Sequence, residues 1–129
     1  MFRRDFLTRL AQAIGLAALP RLASASPARY TLIQHCQLAG FQHHEGESLW
    51  HYLTVGDRLE LRREPGNPHD RNAIRIDWNG RKLGYLPRTQ NQTTALMLDS
   101  QVPLEARIGG LTRHRNPWHR VAIEVWMAG

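Results

Sequence analysis

One polar loop carries the side chains with the most evident chemistry. His69, Asp70 and Arg71 follow one another within residues 63–74, REPGNPHDRNAI. A carboxylate accepts hydrogen bonds from hydroxyl groups, a neutral imidazole can stack or exchange a proton, and a guanidinium binds phosphate. A loop that presents all three groups is suited to binding a polar or anionic ligand.

The backbone chemistry of this loop predicts that it is rigid. Pro65 and Pro68 fix φ, and Gly66 permits a positive φ. Aspartate and asparagine side chains bond nearby backbone N–H groups, so Asp70 and Asn72 should brace the turn. Rigid polar loops on a β scaffold are frequent binding sites. The alternative role for Asp70 is purely structural, as a turn cap that accepts the N–H groups of residues 72 and 73.

Strand patterns lie on both sides of the loop. Leu59 and Leu61 alternate with charged residues before it, and residues 74–78 alternate after it. Asn79-Gly80 predicts a tight hairpin between residues 74–78 and 82–86. The simplest register places Trp78, Asp77 and Ile76 opposite Arg81, Lys82 and Leu83. It pairs opposite charges on one face and apolar residues on the other. The same register places Tyr85 opposite Ile74, on the core side.

The rest of the chain adds strands and one helix. Residues 30–38, 104–108 and 121–125 have strand patterns, and Leu32, Cys36 and Leu38 should share one face of the first strand. Residues 89–99 predict a helix, with Gln92, Ala95, Leu96 and Asp99 at helical spacing. Residues 113–120 form a basic loop between the last two strands. About six short strands with one or two short helices predict a small β-barrel or sandwich.

The first 25 residues are typical of an export signal. Arg3-Arg4-Asp5-Phe6-Leu7 resembles a twin-arginine motif, and Leu10–Leu19 is mildly apolar. Residues 22–25, LASA, form a cleavage site. The apolar run is far shorter than the ~20 residues that cross a bilayer, so no stable membrane span is expected. The sequence predicts a signal over 1–25, a domain over 26–129 and an exported, periplasmic location.

Composition bounds the domain. The whole chain has 129 residues and a formal net charge of +6. The leader holds four basic residues and one acidic residue, which leaves +3 on the remainder. Any contact with a polyanion must therefore be local. Cys36 is the only cysteine, which excludes an internal disulfide, and a buried inert thiol is expected.

Several ordered motifs together resemble the HIRAN domain family. They are Arg63-Glu64-Pro65, Asn67-Pro68, Asp70, Asn72-Ala73-Ile74, Asn79-Gly80 and Gly84-Tyr85-Leu86-Pro87-Arg88, with residues 39–46, AGFQHHEG, upstream. The likeness covers nearly all of the chain after the leader. It implies an OB-like β-barrel with helical inserts.

The resemblance also implies a function. It implies a module that binds single-stranded DNA without catalysis and captures a free 3′-hydroxyl end. Mapped by motif, the aromatic positions become His43 or His44 and His69, the aspartate that bonds the terminal hydroxyl is Asp70, and Tyr85 supports the pocket. The full set of candidate nucleic-acid-binding residues is His43, His44, Asn67, His69, Asp70, Arg71, Tyr85, Arg88 and Trp118.

The chemistry of these side chains suits the roles that the resemblance implies. A carboxylate accepts a hydroxyl proton and repels a phosphate, so Asp70 could distinguish a free end from internal backbone. Flat side chains stack bases without regard to sequence, and Trp118 is a further candidate for this role. Arg71, Arg88 and the arginines of the 113–120 loop could hold phosphates, with salt-dependent affinity.

Other functions stay open. Seven histidines invite a metal site, but no H-E-x-x-H or C-x-x-C motif is present, so neither a metal nor a cofactor is expected. No G-x-S-x-G or phosphate-cradling loop indicates an enzyme, and a phosphoester hydrolase is only a remote alternative. The second hypothesis is an exported binding or adaptor domain for a protein or envelope ligand, with no nucleic-acid role.

Overall fold

Six antiparallel strands and two short helices make up the fold of the computed structural model, which describes residues 29–43, 45–116 and 119–129. The strands are β1 (Tyr30–Gln37), β2 (Arg58–Arg63), β3 (Ile74–Trp78), β4 (Arg81–Tyr85), β5 (Leu104–Leu111) and β6 (Val121–Ala128). The helices are α1 (Gly46–Leu49) and α2 (Gln92–Asp99), and single 3₁₀ turns cover Phe41–His43, Trp50–Tyr52 and Arg88–Gln90. The expected mainly-β fold is confirmed.

The strand order β1-β6-β5-β2-β3-β4 places β1 and β4 at the two ends of the sheet. A backbone bridge joins these ends. Ala39 donates its N–H to the carbonyl of Tyr85 at 2.9 Å, and Tyr85 donates back to Ala39 at 2.9 Å. The bridge closes the sheet into a small barrel around an apolar core that includes Ile74, Ile76, Leu83, Ile108, Ile123 and Val125.

Gly84 makes this closure possible. A Cβ at this position would overlap the carbonyl oxygen of Ala39, the acceptor of the closing bond. Only a residue without a side chain lets two backbones approach this closely. Closure of the barrel therefore requires a glycine at position 84, which is also the glycine of the sequence motif.

The β3–β4 hairpin confirms part of the expected register and corrects the rest. Asn79 and Gly80 both have positive φ, and Asp77 pairs with Lys82 as predicted. Ile76, however, pairs with Gly84, because the ladder is irregular at Leu83. The one-residue shift sets Tyr85 opposite Arg75 and turns its side chain away from the core. The prediction that Tyr85 lies on the core side is wrong.

The charge pairing expected across this hairpin also differs. Asp77 is buried and accepts hydrogen bonds from the Arg75 guanidinium at 2.7 and 3.0 Å. Arg62 reaches the same carboxylate from β2, at 2.8 Å. The bond to Asp77 raises the pKa of Arg75 above its ordinary value. Arg75 and Arg62 therefore bind the carboxylate that the sequence assigns to Lys82.

Two further expectations shift. The predicted helix over 89–99 is a 3₁₀ turn followed by α2, and Leu96 is 65% exposed, whereas Thr94 and Ala95 are buried. In β1 an irregularity after Leu32 changes the alternation, so that Ile33 packs against the core and Leu32 is exposed. In both segments, the residues that face the barrel differ from those that simple periodicity predicts.

Cys36 is buried in β1, as expected. Burial raises the pKa of its thiol to about 11. The thiolate is the reactive form of cysteine, so this side chain should be inert at neutral pH.

Some expectations fall outside the described residues. These are the export signal and its cleavage site, together with His44 and Trp118. Within the described ranges, no helix is both long enough and apolar enough to cross a bilayer.

Replacing Gly84 with alanine should destabilise the barrel. We expect a loss of about 2 kcal/mol or more, because the new methyl group forces β4 away from Ala39. Gly66→Ala is the matched control, since a Cβ there meets no atom within 4 Å. Urea denaturation measures both variants. Equal stability of Gly84→Ala and Gly66→Ala would contradict the closure argument.

Candidate functional site

Successive tight turns build the loop between β2 and β3. The N–H groups of Asn67, Asp70 and Ala73 each donate to the carbonyl three residues earlier, at 3.0, 3.3 and 3.1 Å. The Asn67 side chain adds an acceptor for the N–H of His69 at 2.8 Å. These bonds recur along the loop, in agreement with the sequence prediction that it is braced.

Arg63, at the end of β2, ties the loop to the rest of the fold. Its guanidinium donates to the carbonyls of Ala73 at 2.8 Å and Arg71 at 3.1 Å. The same group pairs with Asp99, at the end of α2, at 2.9 Å. One side chain therefore holds the end of the loop and the helix together.

Glu64 organises the opposite side. Its Oε1 accepts the Tyr85 hydroxyl at 2.8 Å and the Asn67 amide at 3.1 Å. These bonds orient the Tyr85 ring and the Asn67 side chain. Lys82 covers the Tyr85 ring, with Nζ 4.8 Å from its centroid, so the aromatic face on this side carries a cation.

The environment of Glu64 favours its charged form. Partial burial acts to raise the pKa of this carboxyl, but the hydrogen bonds from Tyr85 and Asn67 and the positive charges of Lys82 and Arg75 outweigh it. The pKa of Glu64 is lowered from its ordinary value of 4.5. The carboxylate is therefore a fixed negative charge behind the tyrosine.

Asp70 is held at both oxygens. Oδ1 accepts the N–H of Asn72 at 2.9 Å, and Oδ2 accepts the side-chain amide of Asn91 at 2.8 Å. The turn-cap alternative is therefore half right, because the N–H of Ala73 goes to the backbone carbonyl of Asp70 instead. Each carboxylate oxygen has two acceptor positions, so these bonds still leave Asp70 able to accept from a ligand.

These groups surround one open cleft of about 390 Å³. Its polar and aromatic lining comes from Asn67, His69, Asp70, Lys82, Tyr85 and Arg88, and its apolar lining from Ala39, Ala73 and Leu86. The barrel closure supplies Ala39 and Tyr85, and the braced loop supplies the residues from 67 to 73. A carboxylate, two flat rings and two cations thus share a surface with a small apolar floor.

Five of the predicted site residues meet in this cleft, namely Asn67, His69, Asp70, Tyr85 and Arg88. His43 and Arg71 are exposed but do not line it. Tyr85 was assigned to the site by resemblance alone, because the expected hairpin register placed it in the core. The irregularity at Leu83 is what brings it to the surface.

Three contributors were missed from the sequence. Lys82 looked like the partner of Asp77, and the Arg75 and Arg62 pairs that displace it depend on the folded sheet. Glu64 belonged to the motif but had no role assigned. Asn91 lies within the helix predicted over residues 89–99 and has no role in the sequence analysis.

The basic loop after β5 lies by a separate hollow of about 260 Å³, lined by Glu47, Trp50, His51, Arg113, His114 and Arg120. Arg120 pairs with Glu47 at 2.6 Å and donates to the carbonyl of His114 at 2.8 Å. Part of the basic charge expected to hold phosphate is therefore engaged within the fold.

No metal-binding cluster is evident in the part of the chain that the structure describes. No three histidine, cysteine, aspartate or glutamate side chains there are grouped as a metal would require. His114 and His119 contact each other edge to face, with ring centroids 5.0 Å apart.

Removing the charge of Glu64 should change how stability depends on pH. A lowered pKa in the folded state stabilises the fold above the unfolded pKa, near 4.5, and this stabilisation is lost as pH falls through the folded value. Glu64→Gln keeps an acceptor for Tyr85 but lacks this titration. The stability difference between wild type and Glu64→Gln should therefore shrink below about pH 4.5.

Urea denaturation across this pH range measures the difference. Tyr85→Phe removes the hydroxyl donor and keeps the ring, so it should weaken the same pH dependence in part. A difference between wild type and Glu64→Gln that stays constant from neutral to acid pH would contradict the role given to Glu64.

Comparison with known proteins identifies the family. The HIRAN domain family model matches residues 33–128. A crystal structure of a protein from Lactobacillus plantarum is similar, with a TM-score of 0.68 and 25% identity over 78% of this chain and 97% of that one. None of the curated proteins matches the chain.

A second solved structure shares the fold. The crystal structure of the HIRAN domain of human HLTF superposes with a TM-score of 0.61 and 20% identity, over 78% of this chain and 79% of that one. The family model covers about three-quarters of the sequence, including every strand of the barrel except the first three residues of β1. The chain belongs to the HIRAN domain family.

Proposed function

We propose that this chain is a nucleic-acid-binding module whose cleft takes a free 3′-hydroxyl end of a single strand. Membership in the HIRAN family supports nucleic-acid binding as the general function. The observation that carries the finer proposal is the position of Asp70, whose carboxylate lines the cleft while its inner contacts are made by Asn72 and Asn91.

The end would be recognised through charge and hydrogen bonding. A terminal hydroxyl donates to the Asp70 carboxylate, and such charge-assisted bonds are stronger than neutral ones. A terminal phosphate brings negative charge against the same carboxylate and is repelled. An internal nucleotide has no free hydroxyl at this position, so the strand end alone satisfies the acceptor.

The other lining groups suit the remainder of a terminal nucleotide. His69 and Tyr85 offer flat rings beside the apolar floor formed by Ala73 and Leu86. Base stacking on such rings tolerates any sequence. Lys82 and Arg88 supply cations for the phosphate preceding the terminal sugar. The proposed module binds and does not catalyse.

Two of the proposed contacts lie beyond this cleft. His43 and Arg71 are exposed, and in this proposal they contact the body of the strand. Export by a twin-arginine route also remains a proposal from residues 1–25. An exported single-strand binder would meet nucleic acid outside the cytoplasm.

Replacing Asp70 with asparagine should remove the preference for a 3′ hydroxyl. We expect affinity for a 3′-hydroxyl strand to fall about tenfold or more, while affinity for the matching 3′-phosphate strand holds or rises. Fluorescence anisotropy with labelled oligothymidylates of both kinds measures the ratio. Equal affinity of the wild type for the two ends would overturn end capture, and no binding of either would overturn the proposed function.

The swap Asp70→Asn combined with Asn91→Asp guards against a folding defect in the single variant. It restores an amide–carboxylate hydrogen bond between the two positions but moves the charge away from the cleft. Thermal denaturation should show recovered stability, and the end preference should stay lost.

Arg88→Gln should weaken binding to every sequence and lower its salt dependence. Removing one phosphate contact reduces the slope of log affinity against log salt by about 0.7 for a single strand. Arg58→Gln is the matched control, because this exposed arginine lies outside the cleft. Titrations at several salt concentrations give the slopes, and the same slope for both variants would contradict a phosphate contact by Arg88.

A further inference from the structure

Asn91 does not cap the helix that it precedes. Asparagine is favoured immediately before a helix because its side-chain oxygen accepts a free N–H of the first turn. At the start of α2 this side chain makes no cap hydrogen bond. The residue is only 1% exposed, although asparagine is usually a surface residue. The helix thus forgoes a stabilising interaction, and the buried amide is used elsewhere.

The amide is directed at the cleft from inside the fold. Its Nδ2 donates to Oδ2 of Asp70 at 2.8 Å, across 21 residues of sequence. Asp70 Oδ1 is meanwhile fixed by the N–H of Asn72. Two donors on two oxygens determine the rotation of the carboxylate, and therefore which acceptor positions face the ligand.

Asn91 is itself held firmly enough to act in this way. Its carbonyl accepts the N–H of Ala95 at 2.8 Å, in the first turn of α2. The preceding carbonyl, of Gln90, accepts the side-chain amide of Gln34 on β1 at 2.6 Å. The position of the amide is therefore set by the barrel and the helix, independently of the loop that carries Asp70.

We propose that Asn91 is a specificity-determining positioning residue, which holds the Asp70 carboxylate in the orientation that accepts a 3′ hydroxyl and excludes a 3′ phosphate. This inference rests on the proposed function. The hydrogen bond between Asn91 and Asp70 could either stabilise the loop or orient the carboxylate, and these two roles differ in their effect on binding. A bond that only stabilises the loop would affect both kinds of end equally, whereas a positioning bond changes the ratio between them.

The first test compares Asn91→Ala with wild type by anisotropy, using labelled oligothymidylates that end in a 3′ hydroxyl or a 3′ phosphate. The affinity ratio should fall by about tenfold, because the carboxylate loses its inner donor and turns. Leu98→Ala is the control. Leu98 lies on the same helix and packs against the core outside the cleft, so its ratio should match the wild type.

The second test uses pH to restore the missing donor. In Asn91→Asp two carboxyl groups meet, and above their pKa values both are charged and repel each other. At about pH 8 the end preference should be lost. Near pH 5 the pair should share one proton, since close carboxylates cannot both ionise easily. The shared proton replaces the amide donor with the wild-type net charge, and the preference should return.

The other titratable groups that line the cleft are His69, Lys82, Tyr85 and Arg88, with Glu64 behind Tyr85. Each Asn91→Asp value is therefore divided by the wild-type value at the same pH. A purely structural role would lower stability without this recovery of the ratio.

The outcomes separate the inference from the proposed function. A wild type that discriminates between the ends, with an unchanged ratio in folded Asn91→Ala and in Asn91→Asp at high pH, overturns the role of Asn91 alone. A wild type without discrimination overturns end capture itself. A reduced ratio in Asn91→Ala, an unchanged ratio in Leu98→Ala and acid recovery in Asn91→Asp establish the positioning role.

Discussion

The structure depends on one close approach between two backbones. The reciprocal hydrogen bonds between Ala39 and Tyr85 turn an open six-stranded sheet into a barrel, and the missing side chain of Gly84 allows them. The same bridge fixes Tyr85 at the surface and sets Ala39 beside it. The cleft is therefore a consequence of barrel closure, because two of its walls are the residues that close the barrel.

A second set of contacts brings the β2–β3 loop to these walls. Arg63 ties the loop to α2, Glu64 ties it to Tyr85, and Asn91 ties its carboxylate to the start of the helix. The loop that carries Asp70 is thus held to β4 and to both ends of α2. Such support is what a binding group needs to keep its geometry before the ligand arrives.

Much of this arrangement was predictable, and the exceptions have identifiable causes. The proline-rich loop and the Asn79-Gly80 turn act through local backbone preferences, which a sequence displays directly. The shift of register at Leu83 accompanies a contact that is not local, because Gly84 lies against Ala39, which is distant in sequence. The surface position of Tyr85 follows from this shift, so local preferences alone do not predict it.

The misassigned polar residues have a similar explanation. Lys82 is paired with Asp77 in the hairpin register, but the Asp77 carboxylate is bound by two arginines. One of them, Arg62, comes from another strand. Asn91 has the residue type of a helix cap, and only tertiary structure shows that its amide points elsewhere. Leu96 is exposed because α2 contacts the barrel through Thr94 and Ala95, which a weak apolar pattern did not reveal.

The most direct test of the account is to observe which residues a strand end contacts. Isotope-labelled protein titrated with a 3′-hydroxyl oligonucleotide, and followed by nuclear magnetic resonance, reports this residue by residue. We expect the largest shifts in the amides of His69 and Asp70 and in the side-chain amide of Asn91. Shifts confined to the hollow by Trp50 and His114, with these three signals unmoved, would contradict it.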